Sequence, residues 1–178
     1  MRAITGMIGL AVAVLPAAAW AASVTVPMTL VGASGAGAAI GSVYAEDTDS
    51  GLKLTPDLTA LPPGPHGFHV HQNPSCAAAE KQGQMQAALA AGGHYDPQTT
   101  GKHLGPEGDG HKGDLPRLQV DPDGTATKPM MAPRLRVADL KGRALVIHAG
   151  SDNYSDMPEP LGGGGARLAC GVVPDMAE

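Results

Sequence analysis

The sequence predicts an all-β domain, folded as an antiparallel sandwich or barrel. Short segments of alternating or β-branched residues recur along the chain, each of a length typical of a strand. The 25 glycines and 16 prolines interrupt these segments every few residues. Asp-Gly pairs, which favour tight turns, stand at positions 109–110 and 123–124.

Six segments carry the strand pattern. The first two alternate between apolar and polar residues, which is the period of a half-buried strand. The other four are short and rich in apolar or β-branched residues, with glycine, proline or aspartate nearby. In chain order they are VTVPMTLV (24–31), GLKLTPDL (51–58), GFHVH (67–71), RLQV (117–120), RALVIHA (143–149) and ARLACGVV (166–173).

Two long segments, residues 72–116 and 149–165, lack a convincing strand. Loops of this length inside a compact domain are usually functional or disordered. In the first loop, the alanine-rich stretch 77–91 favours a helical turn, which Gly83 opposes. The second contains PLGGGG, which lacks the Gly-Lys-Ser/Thr ending of a phosphate loop and therefore predicts only flexible backbone.

Residues 1–21 have the pattern of a secretory signal peptide. Arg2 precedes an apolar run at residues 7–15, and Ala19 and Ala21 supply the small residues of a cleavage site. The run is shorter than the roughly 20 residues of a membrane-spanning helix, although a retained anchor is the alternative. We expect cleavage after Ala21, a mature domain of residues 22–178, and no membrane association after cleavage.

The formal net charge of −5 argues against nucleic acid as a partner. The same charge would oppose the approach of an anionic substrate, so an anion site in this chain would need a local cation.

The chain has two cysteines, Cys76 and Cys170. In an exported protein they predict one disulfide, while two thiolate metal ligands are the alternative. Closing the long loop between them would contribute at most about 4 to 5 kcal/mol to stability.

Two of the seven histidines lie on one predicted strand. His69 and His71 are two positions apart, so both imidazoles point to the same face. Phe68 and Val70 then point to the opposite face, towards a core. A further histidine, His148, ends the apolar run ALVIH on another predicted strand.

His94, His103 and His111 all lie in the first long loop and are followed by Asp114. This loop is rich in glycine and has little apolar content from which to build a core. A bound metal can order such a segment. A single histidine is more often a surface or hydrogen-bonded residue, but this concentration favours a metal site.

Imidazole binds both copper and zinc, and three histidines with one carboxylate suit a tetrahedral zinc site. Six histidines and Asp114 make seven candidate ligands, too many for one mononuclear site. Two four-coordinate sites would need one ligand more than this set provides. One imidazole that binds both ions would supply the missing ligand. The number of candidate ligands permits such a bridge but does not require it.

Six motifs, from about Val24 to Val173, carry a close resemblance to copper/zinc superoxide dismutase of the bacterial exported type. They are GFHVH, GGHYDP, GKHLGP, GHKGDLP, VIHAGSDNYSD and LGGGGARLACGVV. The resemblance implies a Greek-key β-sandwich or flattened barrel with two long functional loops. It also implies a periplasmic enzyme that converts superoxide to oxygen and hydrogen peroxide by cycling Cu(II)/Cu(I), with one copper and one zinc per chain.

The resemblance also assigns ligands. The implied copper ligands are His69, His71, His94 and His148. The implied zinc ligands are His94, His103, His111 and Asp114. His94 is then the bridge, and it would take up a proton when copper is reduced and return it on reoxidation. His66 is left as a non-ligand.

Two further roles follow from the resemblance. Asp152 would accept hydrogen bonds from a copper ligand and from His103, with Asp156 as the competing candidate. Arg167, three residues before Cys170, would attract and orient superoxide at the copper. The positive charges that could add to its field are Lys102, Lys112 and Lys141.

Two other readings stay open from the sequence: a non-catalytic exported copper carrier, and a β-sandwich that metals only stabilise. A carrier would need neither a bridging histidine nor a guanidinium beside the copper. The motifs do not determine whether the protein is a monomer or a homodimer.

Overall fold

The structure is a computed structural model that describes residues 21–175. Within that range the regular elements are strands and three short 3₁₀ turns, without an α-helix. The strands are β1 (Ser23–Gly32), β2 (Gly35–Thr48), β3 (Gly51–Leu58), β4 (Gly64–His66), β5 (Phe68–His71), β6 (Ala79–Lys81), β7 (Gln84–Gln86), β8 (Leu118–Val120), β9 (Met130–Ala132), β10 (Ala144–His148) and β11 (Arg167–Val172). The 3₁₀ turns are Leu89–Ala91, Val137–Leu140 and Pro160–Gly163.

Seven strands form one antiparallel sheet in the order β5-β10-β11-β1-β2-β3-β9, which curls into a half-barrel. A short ladder joins β4 to β8, and β6 pairs with β7 as a separate hairpin. The predicted all-β antiparallel class is therefore confirmed.

The core lies inside the curl, where alternate residues of neighbouring strands meet. Val26 and Met28 of β1 pack there with Leu52 and Leu54 of β3, and all four are fully buried. Such burial contributes about 1.5 to 3 kcal/mol for each large apolar side chain. This core gives β5 and β10 a fixed support at the edge that carries the histidines.

Strand β2 has no counterpart among the predicted strands. Its sequence, GAGAAIGSVYAEDT, is rich in glycine and alanine, so the apolar alternation is weak. Tertiary pairing forms the strand instead, because β2 pairs with β1 on one side and β3 on the other.

The alanine-rich stretch 77–91 is mainly a β-hairpin, where a helical turn was expected. Strands β6 and β7 turn at Gln82-Gly83, whose φ angles are 54° and 77°. Two positive φ values are typical of the tight hairpin turn, and Gly83 adopts its value without strain. The helical part is limited to the turn Leu89–Ala91.

The Asp123-Gly124 turn is confirmed, with the Gly124 amide donating to Asp121 at 2.9 Å. Asp109-Gly110 instead lies inside the first long loop and connects no two strands.

The described residues include no helix long and apolar enough to cross a membrane. The predicted signal peptide lies outside the described residues except for Ala21.

Candidate metal centre

Strand β5 presents its histidines as the alternation predicts. Phe68 and Val70 are fully buried in the apolar core. His69 and His71 are buried as well, but they point to the opposite side, among other histidines. Strand β10 pairs with β5, and its last residue, His148, joins the same cluster.

Six histidines and one aspartate converge beside this edge of the sheet. Their potential ligand atoms form two buried groups, and within each group these atoms lie within 4.8 Å of one another. The first group is His69, His71, His94 and His148. The second is His69, His94, His103 and Asp114.

In the first group, two imidazoles point unprotonated nitrogens at each other. His71 Nδ1 donates to Gly92 O at 3.0 Å, and His148 Nδ1 donates to Gly165 O at 3.2 Å. Burial lowers the pKa of His71 well below its usual value and that of His148 to about 4, so both rings are neutral. Their Nε2 atoms lie 3.4 Å apart, and each carries a lone pair. A cation between them would turn this repulsion into coordination.

Asp152 connects the two groups. Its Oδ2 accepts from His69 Nε2 and its Oδ1 accepts from His103 Nε2, each at 2.8 Å. The rival candidate, Asp156, instead accepts from the backbone amide of His103 at 2.9 Å. Asp152 thus orients two imidazoles, whereas Asp156 positions the chain that carries one of them.

Asp114 lies at the centre of the second group. Its Oδ1 is 3.0 Å from His94 Nδ1, and its Oδ2 is 2.9 Å from His103 Nδ1. Burial alone would raise the pKa of Asp114, but the contacts with His103 and His94 hold that pKa well below its usual range. The carboxylate is therefore ionised and available to a cation.

His94 belongs to both groups. Its Nδ1 faces Asp114, while its Nε2 is buried without a hydrogen-bond partner. Its ring stacks on His69 with centroids 3.9 Å apart and lies 5.1 Å from His71. His94 Nδ1 thus faces the carboxylate of the second group while the ring packs against His69 and His71 of the first, and its Nε2 is free of hydrogen bonds, which suits a bridging imidazole.

The residues fit a pair of metal ions. Within residues 21–175, two buried ring nitrogens, His69 Nδ1 and His94 Nε2, have no hydrogen-bond partner, while His103 Nδ1 and His111 Nδ1 have only Asp114 beside them, at 2.9 and 3.5 Å. Buried polar atoms are rarely left unsatisfied, and an ion is one reason for it. Imidazole nitrogens at about 2.0 to 2.1 Å from one ion would lie about 3 to 3.5 Å apart, close to the 3.4 Å between the Nε2 atoms of His71 and His148.

His111 is placed less tightly than the other predicted zinc ligands. Its Nδ1 is 3.5 Å from Asp114 Oδ1, and its ring centroid is 5.3 Å from that of His94. The second group therefore contains His69, whose ring stacks on that of His94, and does not contain His111.

His66 is held by backbone carbonyls. Its Nδ1 is 2.8 Å from His148 O and its Nε2 is 2.8 Å from Pro62 O. Both ring nitrogens are therefore occupied, which agrees with its expected role as a non-ligand.

A cavity of about 600 Å³ opens beside the first group, and His71, His148 and Arg167 line it. The Arg167 guanidinium donates to the carbonyls of Ala88 and Gly92, which fix its position. Burial lowers the pKa of Arg167, but a guanidinium stays charged at neutral pH.

The cavity lining also includes Lys81, which the sequence analysis did not identify. Lys81 lies on the hairpin β6–β7, and no strand was predicted there. The three lysines considered from the sequence, Lys102, Lys112 and Lys141, are absent from this lining. Lys112 pairs with Asp139 at 2.6 Å instead.

The disulfide Cys76–Cys170 is present, with Cα atoms 5.7 Å apart. It joins the loop after β5 to β11, the strand on which Arg167 lies. The prediction of one disulfide is therefore confirmed, and the thiolate-ligand alternative is wrong.

Comparisons with known proteins agree with this geometry. The sequence profile of the copper/zinc superoxide dismutase (SODC) family matches residues 39–173. "Superoxide dismutase [Cu-Zn] 2" of Salmonella typhimurium is 60% identical over 158 residues, covering 88% of this chain and 91% of that relative. The solved structure of Cu/Zn superoxide dismutase from Brucella abortus superposes with a TM-score of 0.85 at 54% identity, covering 86% of this chain and 100% of that one.

A second solved structure, of the monomeric copper, zinc superoxide dismutase from Salmonella enterica, gives a TM-score of 0.78 at 61% identity. It covers 86% of this chain and 100% of that one. Family profile, curated relatives and solved structures converge on one result: the chain belongs to the copper/zinc superoxide dismutase family.

Proposed function

We propose that this chain converts superoxide to oxygen and hydrogen peroxide at a dinuclear centre built from the buried histidine cluster. Copper is held by the first set of ligands and zinc by the second, with His94 in both. The copper ligands are His69, His71, His94 and His148. The zinc ligands are His94, His103, His111 and Asp114. The observation that carries this proposal is the placement of His94, whose Nδ1 faces Asp114 while its ring packs against His69 and His71.

Bound copper supplies the one-electron chemistry, by which one superoxide is oxidised to oxygen and a second is reduced to hydrogen peroxide. Hydrogen peroxide requires two protons: His94 Nε2 is the atom at which the chain can hold one of them for transfer to the product, and solvent water supplies the other. The nitrogen is buried, so the proton is protected from bulk water. Asp114, beside Nδ1, keeps the ring orientation fixed during this exchange.

Arg167 binds and orients the substrate anion. Its charge lies in the same cavity as His71 and His148, and two carbonyls fix its guanidinium. Lys81 adds a second positive charge to this cavity. A local positive potential of this kind draws in a small anion even when the net charge is −5.

Residues 1–21 act as a signal peptide, and residues 22–178 form the mature enzyme of the periplasm. The pattern of Arg2, the apolar run and the small residues before Ala22 supports this assignment. The disulfide supports it too, because such bonds persist in oxidising compartments. All the proposed ligands belong to one chain, so the centre does not depend on a homodimer.

Metal analysis of single-ligand variants tests the assignment. His71→Ala should lose copper and keep zinc, while His111→Ala should lose zinc and keep copper. His69→Ala tests whether His69, rather than His111, binds zinc. Zinc loss in His69→Ala together with full zinc retention in His111→Ala would refute the proposed zinc set.

A further inference from the structure

Among the proposed zinc ligands, His111 has the fewest contacts that orient its ring. His94 and His103 both contact Asp114, and His103 also donates to Asp152. No hydrogen bond fixes the His111 ring within residues 21–175, and the nearest carboxylate oxygen to its buried Nδ1 is Asp114 Oδ1 at 3.5 Å. The ring position therefore depends on the backbone that carries it.

That backbone is held from outside the loop by Arg134. The guanidinium donates to Gly108 O, to Gly110 O at 3.0 Å and to His111 O at 3.4 Å. One rigid, planar group thus contacts three carbonyls within four residues, and the last belongs to the ligand itself. The planar guanidinium of arginine, with five N–H donors, can contact several carbonyls at once, which the single ammonium group of a lysine does less well.

The residue after His111 is tied to the same outer segment. Lys112 Nζ lies 2.6 Å from Asp139 Oδ1. Asp139 Oδ2 accepts from the backbone amide of Arg136 at 2.9 Å, so the carboxylate is fixed at the start of the turn Val137–Leu140. The side chains of Arg134 and Asp139 therefore hold the chain on both sides of His111.

The backbone between Gly108 and His111 has little room to rearrange. A Cβ at Gly108 would overlap Leu104 O, and one at Gly110 would overlap Lys102 O. The chain here packs against itself, so a shift in the His111 carbonyl moves the whole turn.

We propose that Arg134, assisted by the Lys112–Asp139 pair, is a positioning residue for the zinc site that sets the place of His111 through its backbone. Loss of this contact should weaken zinc binding while copper binding is kept. The inference rests on the proposed function, because it takes His111 as a zinc ligand.

The test measures zinc affinity by chelator competition in the mature, disulfide-bonded protein. Arg134→Gln should weaken zinc binding about 10- to 100-fold, as is usual when a ligand loses its support. Arg134→Lys should recover only part of this loss. Lys112→Met, an independent variant should Arg134→Gln fail to fold, should weaken zinc binding about two- to fivefold.

Cobalt(II) placed in the zinc site supplies a readout that general destabilisation would not move. Its visible absorption reports ligand geometry, so the spectrum should change in Arg134→Gln. Arg136→Gln is the matched control, because Arg136 is a neighbour of the same charge that donates to Thr48 O instead. It should keep both the spectrum and the zinc affinity.

His111→Ala in the same series separates the assignment of His111 as a zinc ligand from the positioning role of Arg134. Zinc retention in His111→Ala would overturn the ligand assignment itself. The positioning role alone would be overturned by a different pattern, in which His111→Ala loses zinc. In that pattern Arg134→Gln keeps its zinc affinity and cobalt spectrum, and Lys112→Met keeps its zinc affinity. An equal loss in Arg134→Gln and Arg136→Gln, with an unchanged cobalt spectrum, would also overturn that role.

Discussion

The single imidazole of His94 connects two chemically different surroundings. Its Nδ1 faces an ionised carboxylate, and its ring packs against the neutral imidazoles of His69 and His71. Burial lowers the pKa of His94, so the ring is neutral in the metal-free protein at neutral pH. A neutral ring has one nitrogen lone pair and one N–H, and loss of that proton allows both nitrogens to bind cations.

Replacement of Arg167 should reduce the rate at which superoxide reaches the centre. Arg167→Ala should lower kcat/KM about tenfold and make the remaining rate less sensitive to ionic strength, because a steering charge is lost. Pulse radiolysis at several salt concentrations measures both effects. Lys128→Ala is the control, since Lys128 is exposed and does not line the cavity. An Arg167→Ala variant with the full rate and salt dependence would remove the steering role.

Zinc binding should release a proton from His103. Burial opposes the charged form, but the contacts with Asp114 and Asp152 raise the pKa of His103 to about 9. These contacts stabilise the metal-free fold fully below the unfolded pKa of about 6.5, and this stabilisation is lost as pH rises through about 9. Zinc must displace the proton on Nδ1, because Nε2 donates to Asp152.

Calorimetry in buffers of different ionisation enthalpy measures this release. Zinc addition to the metal-free protein should release about one proton more at pH of about 7.5 than at pH of about 10. Equal proton release at both pH values would show that His103 is already neutral before zinc binds.

At the scale of elements, two strand ends and two loops meet to build the site. Strand β5 contributes His69 and His71, and the end of β10 contributes His148 opposite Arg167 of β11. These contributions could be predicted, because alternation along a strand determines which side chains share a face. Strand β2 could not be predicted, because its glycines and alanines give no clear alternation of apolar and polar residues.

The hairpin β6–β7 shows why Lys81 was missed. Its six paired residues are exposed or half-buried, so no apolar alternation marks them. Only the tertiary position of the hairpin, next to the cavity, gives Lys81 a role. The resemblance did identify Asp152, but the choice against Asp156 needed the actual hydrogen bonds.

The second loop approaches the centre so closely that Gly162 tolerates no side chain. A Cβ there would overlap Asp152 Oδ1 and lie 2.8 Å from His103 Nε2. Gly162→Ala should therefore displace the Asp152 carboxylate and weaken zinc binding about tenfold, and Asp152→Asn should give a similar loss. Chelator competition measures both.

Gly163→Ala is the matched control for backbone strain. Gly163 has a φ of +77°, close to the +72° of Gly162, but its added Cβ would meet only Glu159 Cβ at 3.7 Å. Backbone strain should cost each alanine variant about 1 to 2 kcal/mol of stability, since a left-handed conformation costs that much for a residue with a Cβ, and the overlap adds a further cost in Gly162→Ala alone. Equal zinc affinity in the two variants would disprove the close-approach argument.

Over the whole molecule, the disulfide joins the site to the barrel. Cys76 and Cys170 are separated by 94 positions, and the bond holds the loop after β5 against β11. The carbonyls that fix Arg167, those of Ala88 and Gly92, lie further along the same long segment, after the hairpin β6–β7. The fold thus places a positive charge in the same cavity as His71 and His148, two of the proposed copper ligands, in a chain whose net charge is −5.

The central claim is that one copper and one zinc, held by this histidine cluster, make the chain a superoxide dismutase. The direct measurement is superoxide dismutation by the mature protein, residues 22–178, with both metals quantified in the same sample. We predict one copper and one zinc per chain, and a rate that falls to background when copper is removed and returns when it is restored. Full loading with both metals without dismutation above background would contradict the account.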